Sequence, residues 1–484
     1  MATPGSFAAS DAALLALAGR LRNLGSDGLD PAWYPIPDDA LATSDNATWR
    51  SSLAAATDAA LTDLLLGRGR FVGGRADIRR DAGAHPLAPW RAEIAAAADP
   101  ASVIERAALL PPEAAALRTA LAAARAIAAR GPFPAIPTDG PATIEPGSTD
   151  ARRIPLLRRR LAMEDAALAA LAGNDSPVYD QPLVDAVKRW QEREGFEADG
   201  RIGRITLTAL NQPAETRVNQ LRVNLDMRRG LAAPETERRI EVNLPHQRLR
   251  LLDGTRETMA MNVIVGRSDR ATPLLRVRMV AIQFNPTWGV PERNARDDLL
   301  PRFRRDPAGM QARGFRLYQT VDGQRTEVDA TTLDWSSFSR TNFPYFIRQD
   351  AGDANALGRI KFIMPNGDDI YMHDTPDRHL FRRPDRAFSS GCIRLERPMD
   401  MLDAALSGTP GWDRERAQRV LDSRATAGVT IARSIPVALL YSTAMVQDGR
   451  VSIRQDIYGY DRSYMRAMEA GDPRQRVAAR NASR

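Results

Sequence analysis

The chain has 484 residues, of which 43% are hydrophobic and 26% are charged, and its formal net charge at pH 7 is +7. This composition excludes a mainly membranous or wholly disordered chain, and the length predicts about three domains. The single cysteine, Cys392, excludes an internal disulfide and any metal site built from several cysteines. The positive charge suits an anionic partner, but no long run of Lys and Arg argues for nucleic acid.

The N-terminal region is rich in alanine and arginine and is predicted to be helical. Its clearest helix covers residues 115–129 and ends at Gly131 and Pro132. We expect a mostly helical scaffold domain with a proline-rich connector at 1–150. No run of 18 apolar residues predicts a membrane span, and the first apolar stretch, 12–19, lacks the preceding basic residues of a secretory signal.

A second helical unit is predicted at 151–215. The apolar positions of its first helix recur at helical spacing, at Leu183, Ala186, Val187 and Trp190. Asp180 suits the N-cap of this helix, and Gly195 suits its C-terminal end. The apolar face predicts a small buried core.

From about residue 238 the apolar residues alternate with a period of two, which predicts strands near 240–244, 259–265, 277–284, 359–364 and 369–372. A stretch at about 289–345 shows little periodicity. It is too long for an ordinary loop, and such a segment is more often a lid or cap. We expect a β-rich domain at 216–465 with this insert, followed by a basic, disordered tail at 466–484.

The densest cluster of reactive residue types surrounds the only cysteine. A free thiol titrates near pH 8.5, and a neighbouring imidazole both lowers that pKa and serves as a general acid. His373 ends a predicted strand, where its position is fixed, whereas His379 lies in a polar stretch. His373 is therefore the favoured base for Cys392. From these residues alone, an inert buried cysteine beside a structural histidine remains an equal alternative.

The residues around Cys392 have further roles in this hypothesis. Gly391 lets the backbone turn closely under a substrate, and backbone N–H groups near 391 and 392 suit a tetrahedral oxyanion. Arg394 suits a bidentate pair with a substrate carboxylate. Trp335 belongs to the insert, where packing competes with a place along the substrate cleft.

The sequence His373-Asp374-Thr375-Pro376, followed by Ser389-Ser390-Gly391-Cys392-Ile393-Arg394, resembles the L,D-transpeptidase (YkuD-domain) family. The stretches 263–266, 285–291, 355–358 and 456–459 resemble its large YcbB-like subfamily, and 183–211 resembles a type 1 peptidoglycan-binding domain. The resemblance implies an α+β multidomain fold. It comprises a β-rich YkuD-like catalytic domain with an inserted capping subdomain, together with helical peptidoglycan-binding and scaffold domains.

The resemblance also implies a periplasmic cysteine acyltransferase that acts in peptidoglycan biosynthesis and cell shape. Cys392 would attack a stem peptide, release the terminal D-Ala and form a thioester, which an amine of a second stem would resolve as a 3→3 link between diaminopimelate residues. His373 would be the base. The implied site also includes residues that support the oxyanion or the backbone, Gly391, Ser390 and Asp374. The implied substrate contacts are Arg394, Tyr371, Ser389 and Trp335. No metal or cofactor is implied. Carbapenems would acylate the thiol, and wall-synthesis proteins are possible partners.

One residue departs from the family pattern, because Ser390 stands where a histidine usually precedes the Gly-Cys pair. This change leaves the acceptor open. The same thioester chemistry would give a 1→3 cross-link, attachment of a protein to the wall, or hydrolysis by an L,D-carboxypeptidase. A non-catalytic wall-binding protein is the alternative from another functional class.

Overall fold

The computed structural model describes residues 7–42, 46–321 and 323–471. The helices in these residues are α1 (Asp11–Arg22), α2 (Ala47–Leu66), α3 (Leu87–Ala96), α4 (Pro100–Leu109), α5 (Ala114–Ala128), α6 (Ile154–Glu164), α7 (Ala169–Ala172), α8 (Gln181–Glu194), α9 (Arg204–Leu210), α10 (Ala214–Met227), α11 (Glu292–Asn294), α12 (Leu300–Arg305), α13 (Pro307–Ala312), α14 (Pro398–Leu406), α15 (Arg414–Asp422) and α16 (Tyr460–Ala470). None of the described helices is long and apolar enough to cross a membrane.

The strands in the same residues are β1 (Arg239–Asn243), β2 (Arg248–Asp253), β3 (Arg256–Gly266), β4 (Arg276–Phe284), β5 (Trp288–Gly289), β6 (Phe315–Val321), β7 (Gln324–Val328), β8 (Phe346–Gln349), β9 (Ile360–Ile363), β10 (Met372–His373), β11 (Ala387–Ser389), β12 (Ile393–Leu395), β13 (Ala427–Leu440), β14 (Ala444–Gln447) and β15 (Arg450–Ile453). The described residues fall into two compact units, unit 1 at 7–234 and 441–471 and unit 2 at 235–440.

Unit 1 contains separate hydrophobic cores. One core joins α1, α2 and α4 with α16 through fully buried side chains such as Leu17, Leu64 and Tyr464. A second core surrounds α8, whose N-cap Asp180 accepts a 3.2 Å hydrogen bond from the Leu183 N–H and whose predicted apolar face is buried. Apolar burial on this scale supplies most of the stability of such small helical units.

The boundaries of the units differ from those expected for the domains. Residues 441–465 and most of helix α10 belong to unit 1, although both were expected inside the domain at 216–465. The proline-rich stretch is also more than a connector, because Ile136 and Ile144 are buried in the core around α8. Residues 466–470 complete helix α16 and Gly471 caps it, whereas the rest of the expected tail, 472–484, lies outside the described part.

Unit 2 is built on one sheet with the strand order β11-β3-β12-β10-β9-β4-β13-β1-β2. Strand β2 also pairs with β3, so the sheet closes on itself. Most neighbours are antiparallel, whereas β10–β12, β11–β3 and β1–β13 are parallel. This closed sheet fixes the register of the three strands β9, β10 and β12, which carry the candidate site.

The insert forms a subdomain with its own sheet and core. Its strands have the order β5-β8-β6-β7, and α12 and α13 pack with them around an aromatic cluster that includes Phe303, Phe315 and Trp335. The lack of clear periodicity in the sequence has a physical cause. These elements are short, β7 is mostly exposed and so is the second half of β6, so their burial pattern carries little signal.

Candidate active site

Three neighbouring strands bring the expected site residues together. Strand β10 pairs antiparallel with β9 and parallel with β12, and the register sets Lys361, His373 and Arg394 side by side. Side chains that are directly opposite in paired strands share one face of the sheet. Tyr371 and Cys392, which immediately precede β10 and β12, are hydrogen-bonded to each other next to this row.

His373 is buried, and its tautomer is fixed by one backbone group. Nδ1 lies 2.5 Å from the carbonyl oxygen of Asp374, which can only accept, so Nδ1 carries the proton and the lone pair of the neutral ring lies on Nε2. Burial lowers the pKa of His373 to about 3, and the positive charges of Arg394 and Lys361 act in the same direction. The imidazole is therefore neutral at physiological pH and able to accept a proton.

Cys392 is half-buried and rests as a thiol. Its Sγ donates a 3.8 Å hydrogen bond to the carbonyl oxygen of Asp369. Burial raises the pKa of the thiol, whereas hydrogen bonds from Tyr371 and the positive charges of Lys361 and Arg394 oppose that increase. The site is thus a neutral thiol next to a neutral imidazole, and charge separates only when a reaction begins.

Tyr371 contacts several members of the site, a wider role than the pocket lining expected from the sequence. Its hydroxyl is hydrogen-bonded to Cys392 and to the indole N–H of Trp288. Its ring receives the ammonium of Lys361 at 3.9 Å from the centroid and meets the His373 ring edge-on at 5.6 Å. Burial, together with the negative charge that Cys392 acquires as a thiolate, raises the pKa of Tyr371, so its hydroxyl remains a donor.

The segment before Cys392 is held by its own side chains. Ser389 Oγ donates to the Cys392 carbonyl oxygen at 2.6 Å and accepts from the Gly391 N–H at 3.1 Å. Thr272 Oγ1 donates to the Gly391 carbonyl oxygen at 2.7 Å. The Gly391 N–H is therefore already used, which corrects the expectation that it faces an oxyanion. Ser389 is buried and shapes this turn.

Ser390 is exposed, and its hydroxyl accepts a hydrogen bond from Arg270.

Asp374 is buried and orients the turn that follows His373. Its carboxylate accepts from the Thr375 N–H at 2.7 Å and from the Arg359 N–H at 2.9 Å, while its carbonyl contacts His373. The support expected from Asp374 thus comes from both its carbonyl and its carboxylate.

The expected substrate contacts divide between the site and the cap. Arg394 lies on the site face, where its guanidinium pairs with Asp377 at 3.1 Å. Trp335 does not line a cleft. It is buried in the core of the cap, stacks on Phe303 at 4.8 Å and donates its indole N–H to the Ala330 carbonyl oxygen at 2.7 Å. Packing is the role of this tryptophan, because the rings of Phe303, Phe338 and Phe343 surround it.

Sequence reasoning missed the site contacts of three residues. Lys361 lies between buried Ile360 and Phe362 in β9, and this alternation places it on the other face without identifying its neighbours. Trp288 reaches Tyr371, and Arg270 reaches Ser390. Within the described ranges, no group of three or more His, Cys, Asp and Glu side chains is arranged to hold a metal ion.

Comparisons with known proteins agree with this arrangement. Residues 237–412 match the model of the YkuD family, described as "L,D-transpeptidase catalytic domain", and residues 165–210 match a "Putative peptidoglycan binding domain". The chain is 34% identical over 296 residues to a "Putative L,D-transpeptidase" of Haemophilus influenzae (strain ATCC 51907 / DSM 11121 / KW20 / Rd). That alignment covers 58% of this chain and 59% of the relative, so the chain spans about three fifths of the relative's length.

A solved structure, "Crystal structure of L,D-transpeptidase (Yku) from Stackebrandtia nassauensis", is 12% identical, with 62% of this chain and 97% of that chain covered. Its TM-score of 0.20 is too low to support an argument. The two family matches carry the assignment. Residues 237–412 are similar to YkuD L,D-transpeptidase catalytic domains, and residues 165–210 are similar to peptidoglycan-binding domains. The predicted α+β multidomain fold class is confirmed.

Proposed function

We propose that this chain is a peptidoglycan L,D-transpeptidase that works through a thioester on Cys392, with His373 as the proton carrier. The pairing of β10 with β12 is the observation that carries the proposal. It fixes a neutral, buried imidazole one strand away from the segment that holds the only thiol of the chain. The match of residues 237–412 to the catalytic domain supports the same chemistry.

In the proposed reaction, Cys392 Sγ attacks the carbonyl carbon of the third residue of a donor stem. The S–H proton passes to Nε2 of His373, a C–S bond forms, and the amide C–N bond breaks. The terminal D-Ala leaves as an amine after it receives that proton. An acceptor amine then attacks the thioester and gives up a proton to His373, a new C–N bond forms, the C–S bond breaks, and His373 returns that proton to the sulfur.

The surrounding residues have defined tasks in this scheme. Arg394 attracts a carboxylate of the stem, since its charge lies on the same sheet face as the thiol. Tyr371 donates to the sulfur as negative charge develops. We expect the peptidoglycan-binding domain at 165–210 to hold the chain on its polymer, in the periplasm, where that polymer and any wall-synthesis partners are found.

Acylation by a carbapenem tests the nucleophile. Incubation of the full chain with a carbapenem should give one covalent adduct in the intact mass, and Cys392→Ala should give none. His373→Gln should acylate far more slowly at an unchanged fold, checked by circular dichroism. A folded parent chain that gives no adduct would contradict the thioester mechanism and favour a wall-binding protein without activity.

The acceptor is the second part of the proposal, with a 3→3 link as the first candidate. The hydrogen bond between Ser390 and Arg270 supports a different acceptor as the second candidate. It places a hydroxyl, held by an arginine that is itself paired with Asp297 and Asp298, where the family usually has a histidine. Digestion of sacculi treated with the enzyme, followed by mass spectrometry, separates 3→3 dimers, 1→3 dimers and shortened stems. Ser390→Ala provides the comparison, and an unchanged product ratio would contradict a role for residue 390 in acceptor choice.

A further inference from the structure

Lysine is rare in this chain, and one of its two lysines lies in the candidate site. Of the 67 basic residues, only Lys188 and Lys361 are lysines. Arginine thus supplies the positive charge almost everywhere else. Lys361 lies on β9, directly opposite His373 on β10, and its Nζ is 3.9 Å from the centroid of the Tyr371 ring. A compact ammonium differs from a guanidinium in shape and in its ability to titrate.

Lys361 does not have the surroundings of a lysine that serves only to stabilise the fold through a salt bridge. The side chain is half-buried, and in the described part of the chain it forms no salt bridge within 4.0 Å. Burial lowers the pKa of Lys361, whereas the charges of Cys392 and Asp369 act in the opposite direction. Holding an ammonium in a partly desolvated position costs free energy, and an apolar residue would avoid that cost.

We propose that Lys361 is a positioning residue that acts through Tyr371 and stabilises the thiolate of Cys392 in the proposed transpeptidase. The ammonium holds the phenol ring by a cation–π contact and withdraws electron density from it, so the hydroxyl becomes a stronger donor to sulfur. The positive charge of Lys361 also acts on Sγ directly. This inference rests on the proposed function for its purpose, although the thiol can be tested without any peptidoglycan.

Other charged groups also face the thiol, and a test must distinguish their effects on it from the effect of Lys361. Arg394 lies on the far side of His373 and is neutralised in part by Asp377. Asp369 contacts Sγ through its carbonyl, while His373 is neutral. Among these cations near the thiol, Lys361 is the one that forms no salt bridge with a carboxylate in the described ranges. Removal of its charge should therefore destabilise the Cys392 thiolate more than a substitution of a residue far from the site.

The test is the pH dependence of thiol alkylation in the full chain, because Cys392 is the only cysteine. The rate of reaction with iodoacetamide is followed by intact mass between pH 6 and 10. Lys361→Met should lower the rate at pH 7.5 by about tenfold, equivalent to a rise of about one unit in the thiol pKa. Lys361→Arg should restore most of the rate, and Lys188→Met should leave the profile of the parent unchanged.

A second measurement requires no substitution of Lys361 itself. Reductive methylation with 13C-labelled formaldehyde gives two lysine side-chain signals, which Lys188→Met assigns. The Lys361 signal should titrate below the ordinary pKa of a lysine, and alkylation of Cys392 should shift this signal but not that of Lys188. The inference would be overturned if Lys361→Met changed the alkylation rate of Cys392 at pH 7.5 by less than twofold, or if alkylation left the Lys361 signal unchanged. A normal alkylation profile in a protein that forms no cross-links would instead fault the proposed function alone.

Discussion

Arg270 donates a 2.9 Å hydrogen bond from Nη1 to the hydroxyl oxygen of Ser390, two residues before Cys392. The same buried guanidinium pairs with Asp298 at 2.5 Å and with Asp297 at 2.9 Å. Both aspartates lie in a π-helical turn, Ala295–Leu299, at the start of the cap. Such turns are rare and often occur at functional sites. One arginine therefore connects the base of the cap to the segment that carries the thiol.

Arg270→Met should lower the free energy of unfolding by about 2 kcal/mol, because hydrogen bonds to charged partners are lost and the carboxylates of Asp297 and Asp298 remain. Urea unfolding measures this change. Arg340→Met is the matched control, since Arg340 also pairs with Asp297 but is 75% exposed. The control should cost less than about 1 kcal/mol. If both variants lost the same free energy of unfolding, the buried ion pairs of Arg270 would contribute no more to stability than an exposed pair.

Gly391→Ala should impair alkylation of Cys392 and destabilise the chain by about 1–3 kcal/mol. Gly391 has a φ of +119°, a conformation that a residue with a Cβ rarely adopts, and the added atom would approach Ile370 Cδ1 at 3.2 Å. Gly367→Ala is the control, because a Cβ there meets nothing within 4 Å. Thermal unfolding and iodoacetamide labelling distinguish the two variants, and wild-type labelling in Gly391→Ala would contradict this account.

The local parts of the structure could be predicted from the sequence. The helix with Asp180 and Gly195 at its ends follows from capping and an apolar stripe, which act within a few residues. The pairing of His373 with the thiol segment was accessible because a family motif holds both. In contrast, the neighbours of Lys361 depend on the register of strands that are far apart in sequence. No local pattern carries that information.

The cap illustrates the same limit. Trp335 could be assigned to an insert but not to its core, since an aromatic side chain in a short, irregular segment suits either a cleft or a buried cluster. Its burial depends on Phe303 in α12 and on Phe343 in the segment before β8, which are far apart in sequence. The division at 440/441 was missed for a related reason, because the sequence continues in strands while the fold returns to unit 1.

Trp335→Ala should destabilise the cap by about 3–5 kcal/mol, the usual cost of removing a buried aromatic side chain. Trp288→Phe should cost only about 1 kcal/mol, because the ring remains and one hydrogen bond to Tyr371 is lost. The second variant should nevertheless slow alkylation of Cys392, since Tyr371 becomes a weaker donor. Hydrogen exchange of cap peptides and iodoacetamide labelling measure the two effects. If Trp335→Ala slowed labelling without loosening the cap, Trp335 would belong to the cleft after all.

The pH dependence of stability should contain a contribution from His373. The folded-state pKa is about 3, well below the ordinary value of 6.5, so the unfolded chain binds the proton more tightly between these two values. Stability is therefore highest above pH 6.5 and falls as the pH decreases from 6.5 toward 3. The slope approaches ~1.4 kcal/mol per pH unit, and the loss by pH 5 is about 2 kcal/mol.

The comparison that isolates this contribution is between the parent chain and His373→Gln, because carboxylates elsewhere titrate in both proteins and cancel. Urea unfolding at pH 7.5 and pH 5, followed by tryptophan fluorescence, should show the parent losing about 2 kcal/mol more than the variant over this interval. Replacement of His379, which is exposed, by Gln should leave the parent behaviour intact. An equal loss in the parent and in His373→Gln would mean that His373 is protonated in the folded state near pH 6, and the proposed neutral base would have to be abandoned.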